Sequence, residues 1–220
     1  MRRYVGELIA TFFLIFCGTG AMVINTEMDG VISHFGVATS WGLVVMIMIF
    51  AYGRISGAHM NPAVTITLTL LKLHPKKEVL PYLVSQAVGA FLASFVLRLL
   101  FPQNELLGSS LPQGSETQSF VLEFILTFML MLVILLTSQG RRIEQYFAPI
   151  AIGMTVGLEA LFAGPVSNAS MNPFRSLAPA VVSGHTEHLW VYLTSTMLGA
   201  LVAGAYWMWQ RTEKVAKKTD

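Results

Sequence analysis

Two stretches decide how this chain folds: Ser56-Gly57-Ala58-His59-Met60-Asn61-Pro62-Ala63-Val64-Thr65 and Asn168-Ala169-Ser170-Met171-Asn172-Pro173-Phe174-Arg175-Ser176. Each places Asn-Pro at the head of a short apolar run, 62–71 and 173–182. Asn is a strong N-cap residue, and Pro is favoured at the first helical position because the N–H it lacks would be unsatisfied there anyway. Both stretches therefore predict a helix that begins at Asn-Pro. At about ten residues the helix is too short to cross a bilayer, which takes about 20. A short apolar helix among full spans predicts a re-entrant segment. A lone Asn-Pro would read equally well as a turn; two in matched settings do not.

The settings are matched because the chain repeats itself. Met60-Asn61-Pro62 returns as Met171-Asn172-Pro173 at an offset of 111. Tyr82-Leu83-Val84-Ser85 returns as Tyr192-Leu193-Thr194-Ser195 at an offset of 110, and Glu7 to Thr11 resembles Glu123 to Thr127 at 116. Six longer apolar segments surround these motifs, at 4–24, 34–53, 79–101, 118–138, 146–163 and 188–210. Three fall in each copy, 1–103 and 117–213. Three is odd, so the second copy enters the membrane from the opposite side, and functional elements are expected near the midplane between the copies. The predicted fold is an all-α membrane protein. It has six transmembrane helices and two re-entrant half-helices in an inverted repeat, and forms one channel domain over 1–220.

Composition agrees. Of 220 residues, 54% are hydrophobic and 12% charged, against about 25% charged in soluble domains. Mean hydropathy is +0.63. The spans leave no room for a soluble catalytic domain, so no enzyme is expected. A net charge of +2 gives no field for nucleic acid. The single Cys17 excludes an intrachain disulfide and any multi-thiolate metal site; neither metal nor cofactor is expected. Cys17 itself reads as a packed residue. The N-terminal run resembles a signal peptide, but Glu7 interrupts it and no small-residue cleavage site follows, so it reads as the first span.

Positive charge sets the orientation. Arg2 and Arg3, Lys72, Lys76 and Lys77, Arg141 and Arg142, and Arg211, Lys214, Lys217 and Lys218 all fall on one side of six spans. Connections 25–33, 102–117 and 183–187 carry acids instead. Both termini are expected in the cytoplasm, and the short termini suggest a bacterial or archaeal plasma membrane.

Inversion brings the half-helices together N-terminus to N-terminus. Each end carries about half a positive charge from its aligned peptide dipoles, so the pair repels cations and hydrated protons. The amides of Asn61 and Asn172 can donate to a passing oxygen. A neutral, oxygen-bearing solute is what such a site would admit.

The two motifs resemble the signature loops of the aquaporins (major intrinsic proteins), and the likeness covers nearly the whole chain. The resemblance implies one pore per subunit and a homotetramer. It also implies an outer filter at Trp41, Ala160, Ala169 and Arg175. Water-selective members tend to carry Phe and His at the first two of these positions. Trp41 beside two alanines implies a wider, partly apolar filter, closer to the glycerol- and metalloid-permeable members and the nodulin-like branch. Ser176 and Ala180, where glycerol facilitators carry Asp and Lys, point the other way. The second signature departs from the family's Asn-Pro-Ala: here it is Asn172-Pro173-Phe174, against Asn61-Pro62-Ala63 in the first. Phe174 is expected to displace the second loop and narrow the mid-pore.

Charged groups at membrane depth are functional candidates. By resemblance, Glu7 and Glu123 accept hydrogen bonds from the signature loops, with His59 part of the first arrangement. Glu159 has no such precedent and is expected to tie down the loop displaced by Phe174. His185 and His188, on the outer connection, are not expected to bind metal. The expected function is a passive channel in the lipid bilayer for water and small neutral solutes, such as glycerol or metalloid hydroxides. A water-selective pore, an ion-coupled transporter and a non-conducting scaffold plugged by Phe174 are the alternatives.

Overall fold

The computed structural model describes residues 1–216, and side chains as far as Thr212. Eight α-helices follow in order: α1 (Arg2–Glu27), α2 (Ser33–Ser56), α3 (Pro62–Leu70), α4 (Val79–Leu100), α5 (Glu116–Ser138), α6 (Arg142–Ser167), α7 (Pro173–Ser183) and α8 (Leu189–Ala216). A single 3-10 turn, Lys76–Glu78, leads into α4. Six helices are long and apolar enough to cross a membrane. The two that are not, α3 and α7, begin at the prolines of the two motifs. Helices outrun the apolar segments by several residues at polar ends: α6 starts at Arg142 rather than 146 and runs on to Ser167. The capping box of Arg141 and Glu144 extends it. Orientation expectations that rest on Lys214, Lys217 and Lys218 lie outside the described side chains.

The packing has the symmetry of the repeat. Helix α1 lies against α2 and α4, just as α5 lies against α6 and α8, and α2 and α6 join the two halves. The half-helices cross over: α3 packs on α8 and α7 on α4. Glycines set the closest approaches. A Cβ built on Gly89 would stand 2.3 Å from the carbonyl oxygen of Leu8. One built on Gly199 would stand 2.3 Å from that of Phe124. Gly42 likewise meets the backbone of Gly153 and Gly157 where α2 crosses α6. Without a hydrophobic driving force between helices in lipid, such small residues let backbones approach closely enough for dispersion to hold them.

At the end of the third span, Arg98 in the last turn of α4 donates to the carbonyls of Asn104 (2.7 Å) and Pro102 (3.3 Å), tying the 101–115 connection to the helix end. Cys17 differs from the sequence expectation. It is exposed, because position 17 lies on the outward side of α1 between the buried Leu14, Ile15 and Gly18.

Gly89→Ala and Gly199→Ala should each lower stability by about 1–3 kcal/mol, the usual cost of forcing volume into a packed contact. Gly53→Ala, whose Cβ would meet the Ile49 side chain at an ordinary 3.5 Å, is the control. Thermal unfolding in detergent separates the three.

Candidate functional site

Each half-helix is started by its asparagine. Asn61 has extended backbone and accepts from Ala63 N at 2.9 Å. Asn172 does the same and accepts from Phe174 N at 3.0 Å and Arg175 N at 3.4 Å. The other side of each amide reaches across the repeat axis. Asn61 Nδ2 donates to the carbonyl of Met171, and Asn172 Nδ2 to that of Met60, both at 2.8 Å. Each NH2 group has two hydrogens, so one remains on each for the cavity, whose wall includes both asparagines.

The residues leading into these caps are held in left-handed backbone. φ is +47° at Ala58 and +51° at Met60, and +44° and +55° at the matching Ala169 and Met171. Such conformations are unfavourable for residues with a Cβ and persist only where the surroundings fix them. Two buried carboxylates do so. Glu7 accepts from His59 N and Met60 N at 2.9 Å and from Gln86 Nε2 at 2.8 Å. Glu123 accepts from Ser170 N at 2.8 Å, Met171 N at 2.9 Å and Ser167 Oγ at 2.7 Å. His59 joins the first arrangement through Thr65 Oγ1 at 3.1 Å, to which Gln86 also donates.

A cavity of about 870 Å³ is lined from both copies of the repeat. Its wall includes Arg54, Arg142 and Gln145 at the ends of α2 and α6, Asn61, Asn172 and His59 at the two motifs, and Trp41, Ala169 and Arg175. Most of the remaining wall is aliphatic: Val45, Ile49, Val64, Ile152 and Val156. The Arg175 guanidinium carbon sits 4.7 Å from the centroid of the Trp41 ring. Arg175 also donates to the carbonyl of Gly108 at 2.7 Å and contacts Met22 Sδ at 3.1 Å. Its Nε has no protein partner. The guanidinium is thus clamped on two sides. Ala160 is buried one turn outward of Val156 but is not on the cavity wall.

Two sequence expectations are corrected here. Phe174 does not displace the second loop. That loop makes the same capping, crossing and carboxylate bonds as the first, and Phe174 is half-buried against the main apolar cluster, off the cavity wall. At the second position of α7 only its N–H takes part in the cap, so the side chain is free to pack elsewhere. Glu159 does not tie the loop down by hydrogen bonds: both its oxygens lack partners. Glu123 already serves that loop.

Several contributors escaped the sequence reading. Gly18 makes room for Trp41, since a Cβ there would stand 2.4 Å from the indole. Gly108, at φ +72°, packs on Thr19 and aims its carbonyl at Arg175. Ser110 accepts from Ser176, which bonds Ser170 in turn. Only the left-handed glycine in the 101–115 connection left a trace in composition. The outer His188 is paired with Glu116 at 2.7 Å, and Asn168 accepts from Leu111 N at 2.9 Å. Among the described residues, no group of three potential metal ligands occurs.

Glu123→Leu orphans three buried donors at about 1–3 kcal/mol each and should abolish folded protein, whereas Glu123→Gln, which keeps one acceptor, should give an intermediate unfolding temperature. Phe174→Ala should lose stability yet leave solute permeability unchanged in vesicles, because the ring is off the cavity wall.

Comparison with known proteins agrees with this geometry. The family model "Major intrinsic protein" matches residues 1–207. Aquaporin NIP1-1 of Oryza sativa subsp. japonica is 46% identical over 207 residues, covering 94% of this chain and 72% of that one. Nodulin-26 of Glycine max is 44% identical over 207 residues, covering 94% and 76%. The X-ray structure of the aquaglyceroporin from Plasmodium falciparum superposes with a TM-score of 0.83 at 25% identity, covering 94% of both chains. With the paired Asn-Pro half-helices, the inverted six-span frame and this match over nearly its full length, the chain belongs to the major intrinsic protein family, the aquaporins, and is a membrane channel for water and small neutral solutes.

Proposed function

We propose that this channel passes glycerol-sized hydroxylated solutes together with water, and that Trp41, Ala160, Ala169 and Arg175 form its outer filter. The observation that carries the reading is the stretch of cavity wall shared by Trp41, Ala169 and Arg175, where the guanidinium lies over the indole at 4.7 Å. Trp41 adds apolar surface to that wall. Arg175 offers a fixed positive charge that excludes cations. Ala169 adds little bulk to the wall, and Ala160 is packed behind it. At mid-pore the spare hydrogens of Asn61 and Asn172 reorient each solute oxygen in turn. Passage needs no bond to be made or broken, so the reading assigns no catalytic step, cofactor or metal.

The nodulin-like relatives and the aquaglyceroporin neighbour support the wider choice of solute. In this reading the chain is one channel domain of two units, 1–103 and 117–213. It assembles in the bilayer as a homotetramer with both termini in the cytoplasm. The relatives named above with the highest identities are plant proteins and lend no support to a bacterial or archaeal membrane. A water-selective pore is the second reading, favoured by the 2% exposure of Arg175 on the cavity wall. An ion-coupled transporter has less behind it, since Glu7 and Glu123 spend both oxygens on loop donors.

Stopped-flow light scattering on proteoliposomes at matched protein loading tests the proposal. Glycerol and water permeation should both rise well above the lipid background and stay insensitive to sodium and to a proton gradient. Ala160→His should cut glycerol permeation sharply while leaving water flux. Fast water with glycerol at background in the unmodified protein would establish the water-selective reading instead.

A further inference from the structure

Helix α1 supplies none of the four filter residues proposed above, yet it touches two of them. A Cβ built on Gly18 would stand 2.4 Å from the Trp41 indole. One turn on, Met22 accepts from Nη2 of Arg175, with its Sδ 3.1 Å away. Between them lies Thr19, whose Cβ would be 2.8 Å from a Cβ built on Gly108. The Gly108 carbonyl in turn accepts from Nη1 of Arg175 at 2.7 Å.

The repeat shows which face of α1 this is. At the offset of 116 that pairs Glu7 with Glu123, residues Leu14, Gly18 and Met22 correspond to Leu130, Ile134 and Ser138 on α5. Residues four apart lie one above another on a helix, so each set forms a stripe. All three α5 residues line the cavity, and so does Leu14. Gly18 and Met22 are off the wall, and the side chains against them, Trp41 and Arg175, are on it. The α1 stripe is therefore a cavity-facing stripe with two filter side chains laid over it. What α1 presents there decides how far each of them leans back from the path.

The chemistry at position 22 is specific. A thioether is a weak, polarizable acceptor. It is also neutral, so it holds the guanidinium without cancelling the charge that repels cations. A leucine would fill much the same space and accept nothing. A buried charged donor that loses its acceptor is costly, and Nη2 would then turn to the cavity, which Arg175 already borders.

We propose that Met22 is a positioning residue for solute discrimination: its thioether draws Nη2 of Arg175 toward α1 and so holds the guanidinium clear of the path of a bulky solute. The inference rests on the glycerol reading above and deepens it, adding a residue of α1 that acts through Arg175 from behind the cavity wall.

Three variants test it in proteoliposomes at matched channel density, with folding checked by thermal unfolding in detergent. Met22→Leu conserves volume and removes the acceptor. It should lower glycerol permeability several-fold and water permeability less. Met22→Ala removes the bulk as well and should act in the same direction, so either variant decides if the other fails to fold. Met22→Gln, similar in length and ending in a carbonyl, should recover most of the glycerol flux. Unchanged fluxes in Met22→Leu and Met22→Ala would overturn the proposal. So would a fall in one with a rise in the other, or an equal fall in Met22→Gln, since either marks Met22 as a spacer rather than an acceptor. Glycerol at lipid background in the unmodified channel would overturn the glycerol reading alone. The same variants are then scored on water flux, which should fall in Met22→Leu and Met22→Ala and return in Met22→Gln.

Discussion

The structure depends on a pair of buried carboxylates that hold irregular backbone in place at membrane depth. Lipid offers no hydrogen bonds, so any N–H outside a helix must find a protein acceptor there. The segments before Asn61 and Asn172 have such groups, and left-handed residues besides. Glu7 and Glu123 satisfy them with two backbone bonds each. The charge that makes these carboxylates expensive to bury is offset by those donors and by the positive ends of the half-helices. Once the loops are fixed, the asparagines meet, the dipoles face each other, and a path lined by two amides results. Remove the carboxylates and neither half-helix has a defined starting point.

That logic explains why most of the frame was legible in the sequence. Cap chemistry at Asn-Pro, the length of the apolar runs and the repeat offsets are local or periodic signals, and the helices follow them to within a few residues. Glu7 and Glu123 could be assigned because they recur. The constriction was legible only in part. Trp41 and Arg175 could be named by resemblance, but the clamp that orients Arg175 comes from Gly108 and Met22, and Trp41 lies in a recess made by Gly18. Those contacts join α1, α2, α7 and the 101–115 connection, and no spacing along the chain encodes them. Phe174 misled for a related reason. The motif marks where the backbone turns, while the side chain's direction is set by neighbours far away in sequence.

The two copies share a frame and differ in how they furnish it. The offset of 111 places Trp41 opposite Ile152, Thr65 opposite Ser176, and Met48 opposite Glu159. Trp41 and Ile152, where the copies differ, both line the cavity, and the residues that keep the symmetry, such as Gly42 with Gly153 or Gly89 with Gly199, sit where helices touch. A duplicated scaffold can tolerate this division. Packing constraints act on both copies alike, whereas a single path through the centre needs only one filter. Selection on the filter can then change one copy and leave its mate apolar.

The asymmetry also has an electrostatic side. Arg175 brings a positive charge to the second half of the pore, within Coulombic reach of Glu123; the first half has no counterpart, because position 64 is Val64. A lone buried cation at a constriction is costly unless carbonyls and an anion compensate it. Gly108 supplies the carbonyl and Glu123 the anion, which at the same time holds the loop. The repeat makes Glu7 and Glu123 equivalent, and the difference between them lies in their surroundings: Glu7 accepts from the neutral Gln86, which also donates to Thr65, whereas Glu123 accepts from Ser167 and has the buried Arg175 within Coulombic range.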